Sequence, residues 1–176
     1  SLLLLTLILI NGCKKEEVIT ETNNSELEQN ILNDFASVLV YPNYVEIHTR
    51  STTMHNLIQS FVGQPSDSTL ELIRQAWKDT RSEWDSLLAT TSPLTPADID
   101  PLPTTLKGFH PIEYLIFGNT GVRSAADFSA RELEYLASLS TNLNSITLSL
   151  KNSWDPAQTG NFSLQLTSAG NGSTRF

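Results

Sequence analysis

The stretch from Ser68 to Ala89, STLELIRQAWKDTRSEWDSLLA, decides the fold class. Its apolar residues recur at spacings of three and four, which places them on one side of a helix and predicts that this side is buried. These residues are Leu70, Ile73, Trp77, Trp84, Leu87 and Leu88. Ser68 and Glu71 match an S-x-x-E capping box, so we expect the helix to begin there. The two tryptophans are interpreted as core rather than as a stacking platform.

The residues before this helix carry the same period, from about 26 to 61. The side predicted to be buried contains Leu27, Ile31, Leu32, Phe35, Val38, Leu39, Val45, Met54, Leu57, Ile58 and Phe61. Pro42 interrupts this pattern, and because proline removes a backbone donor and clashes with the preceding turn, we expect a kink or a break there.

A third long helix is predicted to begin at a second capping box, Ser129 to Glu132. Its buried side is predicted to contain Leu133, Leu136, Leu139, Leu143, Ile146 and Leu150. A loop with four prolines, 91–105, separates the second helix from a short helix that ends at Gly118, and no helix is assigned to the tail, 159–176. No stretch alternates for long at period two. The chain is therefore predicted to be an all-α, bundle-like domain over residues 26–176.

The length and charge of the chain restrict its function. Its 176 residues suffice for one domain with a real core. The net charge of −8, without a basic stripe, argues against a nucleic-acid partner. The single cysteine, Cys13, cannot form a disulfide within the chain. The sequence gives no prediction of the oligomeric state.

The N-terminal residues resemble an export signal. Residues 1–12 contain the apolar run LLLLTLILI, which is too short to cross a bilayer and fits a secretory signal that is truncated at its start. The following INGC resembles a bacterial lipobox, in which Cys13 would be lipidated; the alternative is a plain signal with a chance cysteine. Residues 13–25 are then a solvated tether. We expect an outer-membrane lipoprotein of the bacterial envelope, facing either the periplasm or the exterior, with a lipid anchor as its contact with the membrane.

The segment LKGFHPIEYLIFG, 106–118, places Gly108, His110 and Glu113 at the spacing G-x-H-x-x-E. As the start of a helix, it would put His110 at the N-cap before Pro111, with Glu113 reaching back to the cap. Phe109 could then pack against Tyr114, and Gly108 could supply a positive φ.

The same spacing also permits a metal site. Residues three apart share a helix face, so His110 and Glu113 can converge on one ion, and this pair suits zinc, iron or copper better than calcium or magnesium. A tight site needs further ligands. His48 and His55, seven apart, could form a metal clip or a polar helix face, and Asp98 and Asp100 could be loop ligands or turn residues. Spacing alone leaves these alternatives open.

The motif and its flanks resemble the imelysin-like proteins, the group of the insulin-cleaving membrane protease. The resemblance covers roughly residues 36–176 and rests on KGFHPIEYLIFG, on AWKDTRSEWDSL and DIDPLP before it, and on RELEYLASLSTNL, SWDP and LTSAGNGST after it. It implies two related helical bundles, of which this chain would hold the first and the start of the second. It also implies export to the bacterial envelope and a link to iron uptake.

The resemblance carries the family signature onto Gly108, His110 and Glu113, with Arg81, Asp85 and Asp100 as supporting residues. One departure is Leu87 and Leu88, which stand where family members often carry Ser-Glu, so an acidic partner is missing there.

Two main hypotheses follow. The first is an envelope module that binds a metal ion, iron or zinc, or a metal-bearing ligand through His110 and Glu113. The second is a metallopeptidase, in which Glu113 is a ligand or the general base. A structural domain with a degenerate site is the third alternative. We favour binding, because only two ligands are visible.

Overall fold

The computed structural model describes residues 21–91, 99, 106–119, 121 and 123–168. Six α-helices follow one another in the described part of the chain, which contains no strand. They are α1 (Glu21–Asp34), α2 (Tyr41–Gly63), α3 (Asp67–Thr91), α4 (Phe109–Phe117), α5 (Ala130–Trp154) and α6 (Phe162–Thr167). The all-α prediction is confirmed. The proposed signal, Cys13 and the start of the tether lie outside the described residues, whereas α1 begins within the predicted tether.

A π-helical segment, Phe35–Val40, joins α1 to α2. The backbone N–H of Tyr41 donates to the carbonyl oxygen of Ala36, five residues earlier, and Pro42 occupies the first turn of α2. Of the kink or break predicted at Pro42, the break does not occur, because the chain stays helical through this residue and the irregularity is the widened turn just before it. Proline is tolerated there, because the first N–H groups of a helix have no partner within the helix.

The widened turn changes which side of the first helical region is buried. Ala36, Val40, Tyr44 and Ile47 lie in the core. Four residues that were predicted to lie on the buried side are exposed, so the prediction is wrong for Leu27, Ile31, Val38 and Leu39. In α2, by contrast, the predictions for Met54, Ile58 and Phe61 are confirmed.

The start of α3 differs from its prediction. Ser66, not Ser68, is the capping residue, because its hydroxyl accepts from the backbone N–H of Thr69 at 3.2 Å. Ser68 lies inside the first turn, and Glu71 pairs with Arg74 at 3.3 Å. The buried side of the helix is as predicted: Leu70, Ile73, Trp84 and Leu87 are buried, while Trp77 and Leu88 pack partly buried against the core.

Helix α5 matches its prediction closely. The hydroxyl of Ser129 accepts from the N–H of Glu132, and the Glu132 side chain accepts from the N–H of Ser129, so the second capping box is confirmed. The buried residues that its period predicted are Leu136, Leu139, Leu143 and Leu150, with Leu133 and Ile146 partly buried. In the tail, α6 was not predicted; its N-cap is Asn161, whose side chain accepts from the N–H of Leu164 at 2.7 Å.

Helices α2 and α5 pack antiparallel along a seam of polar contacts, which we call the polar seam. Its pairs are His48–Thr147 at 3.2 Å, Thr52–Asn144 at 2.9 Å and His55–Ser140 at 3.2 Å. Residues later in α2 pair with residues earlier in α5, so the two helices run antiparallel. The core lies behind this seam, between α2, α3 and α5, and α4 packs onto α3 and α5. No helix in the described ranges is long and apolar enough to cross a membrane.

Candidate functional site

The helix that carries the motif, α4, has Gly108 as its N-cap. This glycine is buried and has φ 73° and ψ −147°, a backbone conformation that residues with a side chain rarely adopt. The positive φ predicted for Gly108 is confirmed. It turns the chain into the helix two residues before the predicted N-cap, so that Phe109, not Pro111, is the first helical residue.

This early start corrects the predicted cap. His110 is the second helical residue and Glu113 lies beyond the first turn, so neither side chain can form the predicted capping box. Pro111 occupies the third position, where its missing N–H costs no hydrogen bond within the helix. The predicted staple of Phe109 against Tyr114 is also wrong, because Phe109 lies inside the helix and not before its cap. Phe109 is fully buried, whereas Tyr114 is 57% exposed.

His110 and Glu113 lie side by side on the outer face of α4. The Nδ1 atom of His110 is 3.6 Å from Oε2 of Glu113, and the two side chains are 33% and 45% exposed. The pair is thus reachable from solvent and is not enclosed by apolar packing. Within the described residues, the Glu113 carboxylate has His110 as its only polar partner.

The N-terminal end of α4 is anchored by α3 through Phe109. The indole Nε1 of Trp77 donates to the carbonyl oxygen of Phe109 at 3.3 Å. The ring of Phe109 packs edge-on against Trp77 and is tilted against Trp84, with 6.4 Å between ring centroids in each case. The core prediction is confirmed for Trp84, whereas Trp77 packs partly buried against the core, and the two rings together position Phe109, the residue next to His110.

Arg81 and Asp85 form an ion pair one turn apart on α3, with Arg81 Nε 3.1 Å from Asp85 Oδ1. The Arg81 guanidinium lies 5.5 Å from the centre of the Phe109 ring, within the range of a cation–π contact. Arg81 therefore contacts Phe109, at the start of the motif helix, and Asp85 is linked to this helix through its ion pair with Arg81. Asp98 and Asp100 lie outside the described residues, while the Ile99 between them is buried in the core.

Two arginines that the sequence did not single out hold the C-terminal end of α4. Arg74 donates from Nε to the carbonyl oxygen of Ile116 at 3.0 Å, and Arg123 donates from Nη1 to that of Leu115 at 2.9 Å. The last carbonyls of a helix have no partner within it and carry the negative end of its dipole, so cationic donors suit them well. Arg74 also donates from Nη2 to the carbonyl oxygen of Arg123 at 2.5 Å, which joins the two anchors.

Arg123 is fixed in turn by the start of α5. Its Nη2 lies 2.7 Å from Oε1 of Glu132, and its guanidinium stacks 3.9 Å from the ring centre of Phe128. The backbone N–H of Ser129 chiefly, with the Arg123 guanidinium and the Ser129 hydroxyl, lowers the pKa of Glu132 to about 2. The capping box of α5 and the end of α4 therefore belong to one charged network.

The donors on α4 fit a transition metal in kind, since imidazole and carboxylate are ligands of zinc and iron. Two donors are too few for a closed metal site, which has about four protein ligands. No group of three His, Cys, Asp or Glu side chains able to hold an ion occurs among the residues that the structure describes. Leu87 and Leu88, at the place where the resemblance leads us to expect an acid, are buried and partly buried.

The second histidine pair belongs to the polar seam. His48 and His55 contact the hydroxyls of Thr147 and Ser140, which supports the polar-face interpretation over a metal clip. Partial burial, and then the nearby charge of Lys151, lower the pKa of His48, so its neutral form is favoured in the fold.

Comparison with known proteins gives the relationships of this chain. The "Iron-regulated protein A" of Synechococcus elongatus is 24% identical over 148 residues, which cover 70% of this chain and 39% of that protein. The crystal structure of a putative iron-regulated protein A precursor from Parabacteroides distasonis has a similar fold, with a TM-score of 0.65 at 19% identity; the match covers 81% of this chain and 50% of that one.

This chain therefore spans half or less of the length of either relative. A sequence profile of one family, Imelysin (Peptidase_M75), matches residues 85–175, just over half of the chain. The match includes the whole of α4 and α5, and hence the helix that presents His110 and Glu113. The protein belongs to the imelysin family.

Proposed function

We propose that this protein is an imelysin-family module of the bacterial envelope that binds iron, or a small iron-bearing ligand, through His110 and Glu113. The observation that carries the proposal is the 3.6 Å approach of the imidazole and the carboxylate on the exposed face of α4. That two relatives are named as iron-regulated proteins supports iron as the metal.

The start of α4 removes the main structural explanation of Glu113. A glutamate in a capping box stabilises the helix by accepting from the cap N–H, but Glu113 lies too far along α4 for that role. Glu113 is therefore accessible to an exogenous partner, beside one imidazole and on a helix anchored at both ends.

Two protein ligands leave coordination positions for other groups. Residues outside the described ranges, the part of the longer relatives that this chain does not span, or the chelating groups of the iron-bearing ligand would fill them. A low ligand count is compatible with capture and release of iron, whereas a structural site is closed by four protein ligands.

The experiment is a titration of the purified chain with iron and, separately, with zinc, followed by calorimetry and equilibrium dialysis. We expect His110→Ala and Glu113→Gln each to weaken iron binding by about tenfold or more. Glu134→Gln, which removes an exposed acid from α5, serves as the matched control and keeps wild-type affinity. Equal binding by the wild type and both α4 variants would overturn the proposal and leave a structural domain with a degenerate site.

A metallopeptidase is the second candidate, because the matching family is described as a peptidase family. In that case Glu113 would activate a metal-bound water, and an open coordination position would be needed. Incubation with unfolded protein substrates separates the two functions. Turnover that a chelator abolishes, and that Glu113→Gln loses while metal stays bound, would establish the peptidase; metal binding without turnover supports the binding module.

Attachment to the envelope is part of the proposal and rests on the resemblance of INGC to a lipobox. We propose that Cys13 carries the lipid that anchors the protein to the outer membrane. Metabolic labelling with palmitate during export should label the wild type and not Cys13→Ala. Unlabelled wild-type protein released in soluble form would contradict the anchor.

A further inference from the structure

The outer face of α4 presents a third group with metal-binding chemistry, the phenol of Tyr114. The opposite face of the helix is buried and apolar, and consists of Phe109, Pro111, Ile112, Leu115 and Ile116. Tyr114 is 57% exposed, and its hydroxyl forms no hydrogen bond with any residue in the described ranges. A large aromatic side chain is thus displayed in water beside the His110–Glu113 pair.

Helix geometry brings Tyr114 to the same place as the pair. It follows His110 by four positions, and residues four apart are neighbours with roughly 5–6 Å between their Cβ atoms. The Cα–Cβ bonds of a helix also tilt toward its N-terminus, so those of Glu113 and Tyr114 are directed toward the turn that carries His110. His110, Glu113 and Tyr114 therefore share one exposed face of α4.

We propose that Tyr114 is a further protein ligand of the iron site and makes that site selective for ferric iron. This inference rests on the proposed iron-binding function. A phenolate is a hard, anionic oxygen donor that binds iron in proteins, and together with one carboxylate it places two negative charges against a trivalent cation. Zinc and ferrous iron gain less from this charge.

The step is a ligand exchange without electron transfer. The phenol O–H bond breaks, the proton passes to solvent, and the phenolate oxygen bonds to ferric iron in place of a water molecule or a group of the incoming chelate. The anchors of α4, from Trp77 at one end to Arg74 and Arg123 at the other, keep the three donors on a fixed helix.

The test is a titration of the chain with ferric nitrilotriacetate, read by visible absorption and by iron bound after desalting. Iron coordinated by a phenolate has a charge-transfer band in the visible region that carboxylate and imidazole ligands do not produce. We expect the wild type to show this band, and Tyr114→Phe to lose it and to bind ferric iron at least tenfold more weakly. Zinc binding should be the same in both proteins.

Tyr135→Phe is the matched control, because Tyr135 lies on the adjacent α5 and its hydroxyl is already used in donating to the carbonyl oxygen of Leu106 at 3.1 Å. We expect this variant to keep the band. Iron bound by the wild type without the band, or a band unchanged in Tyr114→Phe, would overturn the role of Tyr114 and leave the His110–Glu113 site standing. Failure of the wild type to bind iron at all would overturn both proposals. Thermal melts of the metal-free proteins separate loss of a ligand from loss of the fold.

Discussion

Arg123 and Leu115 are joined by a 2.9 Å hydrogen bond from the guanidinium to the carbonyl oxygen, so the motif helix ends on a charged side chain from a later segment. The same guanidinium pairs with Glu132 at the start of α5. The orientation of α4, and with it of His110 and Glu113, therefore depends on residues that do not touch the candidate site.

Replacement of Arg123 by alanine tests this dependence. The side chain is only 12% exposed, and its loss leaves the carbonyl of Leu115 and the carboxylate of Glu132 without their cationic partner. We expect the free energy of unfolding to fall by about 2–3 kcal/mol in urea titrations. Arg123→Lys should recover only part of the loss, because an ammonium cannot reproduce the forked geometry. Arg131→Ala, at an exposed position of α5, should stay within about 0.5 kcal/mol of the wild type.

The pKa of Glu132 predicts a dependence of stability on acid. Because the fold lowers this pKa from 4.5 to about 2, the stabilising contribution is complete above the ordinary value and is lost as the pH falls through the folded value. Urea titrations at a series of pH values across this window should show a steeper decline for the wild type than for Glu132→Gln. Parallel curves for the two proteins would contradict the assignment.

His48 predicts a second acid-sensitive step at milder pH. Burial and Lys151 lower its pKa in the fold, so protonation favours the unfolded chain, and stability should decline as the pH falls below the ordinary value of 6.5. NMR titration of the His48 ring should give a folded pKa below that value. Lys151→Met removes one of the two causes and should raise the pKa partway back, while His48→Gln should remove this part of the decline.

The start of α3 can be checked with two serines two residues apart. Ser66→Ala removes the acceptor for the N–H of Thr69 and should cost about 1 kcal/mol of stability. Ser68→Ala should change stability by less than about 0.5 kcal/mol, since Ser68 contacts only the Ser66 hydroxyl, at 3.1 Å, among the described residues. A larger loss from Ser68→Ala than from Ser66→Ala would restore the capping box predicted from the sequence.

The sequence predicted a long helix well where the apolar periodicity and a single capping box indicated the same helix, as in α5. It failed where two caps were possible. Ser66 and Ser68 both precede the apolar run, and the choice between them involves a distant contact, in which Asp67 accepts from the backbone N–H of Ala125 at 2.6 Å. Such a contact leaves no trace in the local pattern.

The exposed side of α1 illustrates a second limit. Periodicity tells which residues share a helix face, so Leu27 and Ile31 were correctly grouped, but it does not tell which face another helix covers. The π-helical segment changes which side of the helical region faces the core, so that Ala36 and Val40 are buried. A widened turn of this kind has no reliable sequence signal.

In the candidate site, the spacing of His110 and Glu113 predicted that they share a face, and their 3.6 Å approach agrees. The anchoring role of Arg74 could not be predicted, because its contact with Ile116 spans 42 positions along the chain. Tyr114 was assigned to packing because the helix was expected to begin two residues later than it does.

The three matched pairs between α2 and α5 also restrict how this bundle can rearrange. A slide of one helix past the other by a single turn, about 5.4 Å, would take His48 from Thr147 to the level of Leu143 in one direction or of Lys151 in the other, and in both cases leave its ring nitrogen without the Thr147 hydroxyl. Shear along this interface is therefore disfavoured, and any opening of the bundle should occur as a hinge-like tilt that keeps the two helices in register.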